Sequence, residues 1–128
     1  MNSMNHSNLQ HFGELSLLLN ELKNKGNLDG AIFAYRDGGL IIENLGNDFK
    51  SKEFVSMCAS VLESAVGIGE AIGNQEIIKV IAELEDKTIL IFECDNNTFL
   101  ILIINRESKV SYILSKLEGI IQKIIKMY

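Results

Sequence analysis

The stretch that decides the fold is GAIFAYRDGGLII, residues 30–42. Its first six residues belong to a segment, 28–35, that carries apolar or small side chains on both faces of a strand, which is typical of a strand covered on both sides. Asp37-Gly38-Gly39 follows and favours a tight hairpin turn, because Asp and Gly tolerate positive φ angles. The chain then returns over 40–45, where Glu43 indicates a strand at the edge of a sheet.

Three segments with helical periodicity surround this hairpin. Apolar residues recur at three- and four-residue spacing over 9–22, and Gly26 is suited to end that helix. A second helix is predicted over 52–73, with Ser51 as its N-cap. We expect this helix to face the sheet with six residues: Phe54, Cys58, Val61, Ala65, Ile68 and Ile72. A third helix is predicted over 109–126.

Three further strands are predicted over 76–85, 88–94 and 98–104, separated by short turns. The first of them alternates, with Ile78, Val80, Ala82 and Leu84 expected on one face and Ile77, Lys79, Ile81 and Glu83 on the other. Strand 98–104 is apolar on both faces, so we expect it beside 28–35 in the centre, with 40–45 and 76–85 at the edges.

The predicted fold is therefore α+β, in the order α-β-β-α-β-β-β-α. It has a five-stranded antiparallel sheet with one helix on one face and two on the other. Residues 1–8 are polar and are interpreted as a disordered leader, and 9–128 as a single domain.

Composition excludes several classes of function. The net charge is −5, which disfavours binding to nucleic acid or to an anionic membrane. The longest apolar run, 99–104, is far shorter than the ~20 residues that span a bilayer, and no secretory signal is visible. Cys58 and Cys94 lie in apolar segments without paired spacing, so we expect buried, reduced thiols in a cytoplasmic protein.

The sequence contains no recognisable set of catalytic residues. His6 and His11 lie at or before the first helix, and no carboxylate pair suited to general acid–base catalysis is visible. The glycine-rich segment 67–73 lies late in a helix rather than after a strand, so it does not match a nucleotide-binding loop. We expect no catalytic residue, no cofactor and no metal.

Two segments resemble the roadblock / dynein-light-chain (MglB-like) family. Residues 30–42 are similar to the family's opening hairpin, and the small-residue helix from Met57 to Gly69 is similar to its central helix. The resemblance covers residues 9–126 and implies a homo- or heterodimer that pairs sheet edges and lays central helices together. It also implies an interaction module that binds small Ras-like GTPases, or that serves as a dynein light chain or signalling scaffold.

The second helix has too little polar surface to lie exposed, and it carries a flank of small residues. The expected dimer interface comprises Met57, Ser60, Val61, Ser64, Gly67, Ile68 and Ala71 of this helix, together with Ile77, Lys79, Ile81 and Glu83 of the 76–85 strand. Two alternatives stay open: a helix enclosed within one domain, and an edge protected by its own charges.

Glu63, Glu70 and Arg36 are the candidate partner-binding residues, although exposed charges of this kind are more often ordinary surface. Three functions remain in competition. The first is a dimer that regulates or scaffolds a small GTPase, the second a purely structural dimer without a GTPase, and the third a profilin-like small-molecule sensor.

Overall fold

The computed structural model describes residues 6–45, 50–95 and 97–127, which form three helices and five strands in the predicted order. The elements are α1 His6–Gly26, β1 Gly30–Tyr35, β2 Leu40–Leu45, α2 Ser51–Ala71, β3 Val80–Glu83, β4 Lys87–Glu93, β5 Thr98–Asn105 and α3 Val110–Met127.

The five strands form one antiparallel sheet in the order β2-β1-β5-β4-β3. Both central strands are those that the sequence predicts from their two apolar faces, and both predicted edges are correct. β1 and β5 are in register from Gly30 opposite Ile103 to Tyr35 opposite Thr98. The α+β fold class is confirmed.

Two hydrophobic clusters cover the two sides of the sheet. Phe33 and Leu102 belong to the cluster beneath α1 and α3, whereas Ile32 and Ile101 belong to the cluster beneath α2. This division follows from the alternation of side chains along a strand. One helix therefore covers one face and two helices cover the other, as predicted.

Three predicted boundaries are wrong. α1 begins at His6, so residues 6–8 are helical rather than part of a disordered leader, and residues 1–5 lie outside the described part of the chain. Ser51 is the first residue of α2 and not its cap, since Lys50 occupies the N-cap position without a side-chain hydrogen bond. β3 spans four residues, Val80–Glu83, and not 76–85.

The shortening of β3 has a local cause. Asn74 and Gly73 have positive φ angles, and the backbone N–H of Gln75 donates to the carbonyl oxygen of Gly69 over 2.9 Å. The chain thus folds back against the end of α2, and Ile77 packs in the cluster beneath α2. Residues before Val80 consequently cannot join the sheet in the alternating pattern that the sequence predicts.

The side of α2 that faces the sheet also differs from the prediction. The buried stripe is Val55, Cys58, Ala59, Leu62 and Gly69, whereas Val61, Ile68 and Ile72 are exposed. Small side chains at Cys58 and Ala59 face isoleucines that project from the sheet, which allows close packing between helix and sheet. The predicted stripe is apolar as well, and periodicity cannot tell which of two apolar stripes faces inward.

Candidate interaction surface

α2 presents a second apolar stripe on its outer side, called the α2 face below. The stripe lies two residues out of phase with the buried one, which is about 200° around the helix and therefore nearly opposite to it. Its exposed members are Met57, Ser60, Val61, Ser64, Gly67, Ile68, Ala71 and Ile72. Ile68 is 64% exposed, so most of its surface is not covered by the described residues.

This two-sided apolarity gives α2 the length and composition of a helix that could cross a bilayer, a property that core helices share. Its inner side already packs on the sheet through Val55 and Leu62. A helix with apolar residues on two opposite sides, and only a narrow polar strip such as that of Glu63 and Glu70, is usually covered on both apolar sides. The α2 face therefore has the character of a surface that is covered by another protein.

Two glycines of α2 differ sharply in their surroundings. A Cβ added at Gly69 would lie 2.2 Å from the carbonyl oxygen of Gln75, so close approach of the chain explains this glycine. A Cβ added at Gly67 would meet no atom within 4 Å. Glycine inside a helix costs ~1 kcal/mol relative to alanine, and nothing within the described residues offsets that cost at Gly67.

The edge strand β3 extends the α2 face onto the sheet. β3 pairs only with β4, and its other side carries no pairing strand within the described residues. Lys79, Ile81 and Glu83 are exposed, as predicted. Ile77, the fourth predicted interface residue of this segment, is instead partly buried against α2. Ile78 and Leu84, which the sequence predicts on the opposite face of this strand, are exposed as well; Ile78 is 81% exposed.

Arg36 is not the exposed surface charge that the sequence suggests. Its side chain is only 16% exposed and forms ion pairs with Glu93 and with Glu63, the latter over 3.2 Å. Its Nε is buried without a hydrogen-bond partner. Arg36 therefore ties the β1–β2 hairpin to β4 and to the middle of α2, and its guanidinium group is occupied by carboxylates of its own chain.

Glu63 and Glu70 are both exposed on α2 but have different neighbours. Glu63 contacts Arg36, whereas Glu70 lines a groove of about 370 Å³ at the C-terminal end of α2, together with Glu76 and Glu93. The three candidate partner-binding residues thus do not form one site. Glu93 connects them, because it pairs with Arg36 and also lines the groove.

Neither thiol is placed for catalysis. Cys58 lies on the buried side of α2 and Cys94 lies in the cluster on the opposite side of the sheet, so they cannot form a disulfide with each other. Burial raises the pKa of Cys58 to about 11 and that of Cys94 to about 12. Within the described residues, no group of three His, Cys, Asp or Glu side chains lies close enough to hold a metal ion.

Comparisons with known proteins agree with this architecture. The family model of the Roadblock/LC7 domain matches residues 14–105. The chain belongs to the Roadblock/LC7 family. This family generally consists of non-enzymatic interaction domains.

Several solved structures share the Roadblock/LC7 fold of this chain. MglB from Myxococcus xanthus superposes with a TM-score of 0.85 at 12% identity, covering 99% of this chain and 93% of that one. An MglB with a tetrameric arrangement has a TM-score of 0.80 at 10% identity, covering 91% of this chain and 89% of that one. A Roadblock/LC7 domain from Streptomyces avermitilis has a TM-score of 0.76 at 14% identity, covering 85% of this chain and 92% of that one.

At these identities the likeness to solved structures establishes the fold alone. A search of curated proteins finds no significant match. What this Roadblock/LC7 chain binds must be argued from its own exposed surfaces.

Sequence reasoning missed three apolar residues beside the expected interface: Ile72, Ile78 and Leu84. One signal was available for Ile72, because it lies four residues after Ile68 and must share its side of the helix. Ile78 and Leu84 carried no such signal. Their exposure depends on where β3 begins and ends, which the turn at Gly69 and Gln75 determines.

Proposed function

We propose that this protein is a cytoplasmic homodimer that binds and regulates a small Ras-like GTPase, or scaffolds a complex containing one. One observation carries the proposal: the α2 face is exposed, and so is the free edge of β3, a strand that contacts α2 and that pairs only with β4 within the described residues.

A second copy of the chain satisfies both surfaces at once. Pairing of two β3 strands about a two-fold axis would supply hydrogen-bond partners for the free edge. The same axis would bring two α2 faces together, where Ser64 and Gly67 allow the helix axes to approach within ~8–10 Å. A specific interface buries ~800 Å² per partner, and the combination of a helix face with a strand edge suits that size. The MglB with a tetrameric arrangement is a structural relative that self-associates.

The positions of the two arginines, Arg36 and Arg106, bear on how the protein would regulate a GTPase. They favour regulation by surface contact over insertion of Arg36 into the GTPase active site. Arg36 is held by Glu63 and Glu93, and Arg106 pairs with Asp86 over 2.9 Å. An arginine that stabilises phosphoryl transfer must reach the nucleotide of the partner. The other arginine, Arg106, is 80% exposed in a weak surface ion pair, so only Arg36 is withheld from a partner, and we expect the protein to act on the shape of the GTPase rather than through Arg36.

The alternatives make different predictions. A purely structural dimer would share the interface but would retain a partner that is not a GTPase. A small-molecule sensor would need space between the sheet and its helices, where large side chains such as Phe33, Leu62 and Leu102 are fully buried instead. That filling favours a protein partner over a small ligand.

The interface is tested by placing a charge on the α2 face. We expect Ser64→Glu and Gly67→Glu to yield monomers in analytical ultracentrifugation, because carboxylates buried in an apolar interface lack partners. Gly13→Glu is the matched control, since Gly13 is also exposed on a helix with open space around it. A stable dimer in both α2 variants would refute this interface.

The partner is tested separately. The purified protein is immobilised and exposed to Ras-like GTPases of the same cell, each loaded with GDP or with a non-hydrolysable GTP analogue. We expect one GTPase to be retained with a preference for one nucleotide state. Failure to retain any GTPase in either state would favour the structural dimer.

A further inference from the structure

A groove runs between α1 and α3 on the face of the sheet opposite to α2. The two helices are antiparallel: Gly26 lies against Ile113 at one end, and Lys123 Nζ lies 4.0 Å from Glu14 Oε1 at the other. The groove has a volume of about 230 Å³. Its lining includes apolar Leu18, Leu22 and Ile120, the exposed Gly119, and the rim residues Lys116 and Lys123. We call it the α1–α3 groove.

Gly119 holds the α1–α3 groove open. It lies in the interior of α3, where glycine costs ~1 kcal/mol relative to alanine. A Cβ added there would meet no atom within 4 Å, so packing within the described residues does not require a glycine. Gly26 is the contrast, because a Cβ added at that position would lie 2.9 Å from Ile113 Cγ1. Close approach of another molecule to the helix at this point would explain Gly119.

The rim of the α1–α3 groove has the opposite charge to the protein as a whole. Lys116 and Lys123 lie on the α3 side, in a chain of net charge −5. Lys116 Nζ lies 5.9 Å from the centroid of the Tyr112 ring and makes no ion pair with the described residues. Glu21, the acidic residue in the lining, is already paired with Lys25 over 2.9 Å. The lining therefore carries two lysines against one glutamate, with Lys123 also 4.0 Å from Glu14, and this excess of positive charge favours a negatively charged partner over a positively charged one.

Size and shape decide the kind of partner. Pockets for drug-sized ligands usually have volumes of ~300–1,000 Å³, and this groove is smaller. It extends along α3 from Tyr112 to Lys123, which is about three helical turns. A shallow apolar groove of this length between two helices suits a third helix, whose apolar side chains lie at helical spacing. The missing side chain at Gly119 lets such a helix approach closely.

We propose that the α1–α3 groove binds an acidic amphipathic helix of a partner protein. The apolar side chains of that helix lie over Gly119 and Ile120, and its carboxylates lie at Lys116 and Lys123. The groove is on the other side of the sheet from the α2 face, so this binding does not depend on the proposed dimer or on a GTPase.

The test uses a defined probe. A fluorescent amphipathic peptide of about 18 residues, long enough to form a helix, carries leucines along one face and glutamates on both flanks. One control peptide has lysine in place of every glutamate, and a second has serine in place of every leucine. Binding to the full-length protein is measured by fluorescence anisotropy, and the contact surface by amide chemical-shift changes. We expect the acidic peptide to bind at least ~10-fold more tightly than either control, with shift changes in α1 and α3.

Substitutions in the α1–α3 groove then test whether the peptide binds there. We expect Gly119→Leu, which fills the groove, and Lys116→Glu with Lys123→Glu, which reverse its charge, each to weaken binding at least ~10-fold. Gly13→Leu and Lys52→Glu are the matched controls, since both positions are exposed and neither lines the groove. Thermal unfolding verifies that each variant is folded. If Gly119→Leu does not fold, the variant with Lys116→Glu and Lys123→Glu tests the proposal on its own.

Three outcomes would overturn the proposal. The first is equal binding of acidic and basic peptides, the second is shift changes confined to α2, and the third is unchanged affinity in the groove variants. If Gly119→Leu instead changes the oligomeric state measured by sedimentation, the occupant of the groove is a second copy of this chain.

Discussion

The backbone N–H of Gln75 donates to the carbonyl oxygen of Gly69 over 2.9 Å, and the carbonyl oxygen of Gln75 lies 2.2 Å from where a Cβ of Gly69 would be. This contact ends α2, turns the chain back and sets the residue at which β3 begins. It therefore determines how the α2 face and the β3 edge lie relative to each other.

The first prediction concerns this contact. Gly69→Ala forces its new methyl group onto backbone atoms that cannot move without disrupting the turn. We expect the free energy of unfolding to fall by ~1–3 kcal/mol, as is typical of overpacked sites. Urea denaturation of the variant and of the parent protein measures the change. An unchanged midpoint would mean that segment 72–79 shifts without cost.

Gly67→Ala tests the proposed dimer with a much smaller change. In a lone chain the alanine has open space and should stabilise α2 by up to ~1 kcal/mol. In a dimer through the α2 face its methyl group separates the two helices, so we expect the dimer dissociation constant to rise at least ~10-fold. Sedimentation at a series of concentrations measures this constant.

Gly13→Ala provides the comparison for that experiment. Gly13 also has nothing within 4 Å of an added Cβ, but it lies in α1, away from the α2 face. We expect its alanine variant to gain helix stability while the dissociation constant stays the same. If Gly67→Ala behaves identically, the α2 face is not the interface.

We expect Arg36 to contribute more to the free energy of unfolding than an exposed hairpin residue would. Arg36→Ala leaves Glu93 and Glu63 without their cation, and we expect a loss of ~1–3 kcal/mol in the free energy of unfolding. Arg106→Ala removes an ion pair in which both side chains are mostly exposed, and we expect less than ~1 kcal/mol. Denaturant titrations of both variants compare them directly, and equal losses would contradict the buried role of Arg36.

Acid should weaken the junction between α1, β1 and β5. Ion pairing with Lys87, together with a hydrogen bond from Asn105 Nδ2 over 2.7 Å, lowers the pKa of Asp29. A lowered pKa contributes stability above the ordinary Asp value of ~3.9, and that stability is lost as the pH falls through the folded-state value. We expect Asp29→Asn to be less stable than the parent at pH 7 and the difference to shrink at low pH. A difference independent of pH would show that the Asp29 charge is not involved.

The two cysteines should be chemically inert in the folded protein. Their raised pKa values, about 11 for Cys58 and about 12 for Cys94, keep both thiols protonated at pH 8, and both are buried. We expect slow reaction with a thiol-specific chromogenic reagent under native conditions and fast reaction of both thiols in denaturant. Rapid labelling of the native protein would contradict their burial.

The fold was predictable because its main signals are local. The absence of polar side chains on both faces predicts β1 and β5 as central strands. Polar side chains in β2 and β3 predict these two as edge strands. The turn at Asp37-Gly38-Gly39 joined the first pair of strands, and short turns joined the last three. Each of these signals lies within a few residues of the element that it specifies, so no long-range contact is needed to read it.

The candidate interaction surface was predictable only in part. Met57, Ser64 and Gly67 were placed on an outer face correctly, because small and apolar residues in excess of one stripe indicate a second covered side. Val61 and Ile68 were assigned to both the core and the interface, and the structure resolves this in favour of exposure. Arg36 was misjudged, since its carboxylate partners lie 27 and 57 positions away along the chain.

The sequence by itself determined the elements, their order and the arrangement of the sheet, because periodicity and turn residues encode these locally. Only the tertiary structure decided which stripe of α2 packs on the sheet, where β3 begins, and that Gly119 faces an open groove between α1 and α3. These three features depend on how helices and sheet fit together in volume. A linear pattern of apolar and polar residues contains no information on which of two equally apolar surfaces fits the sheet.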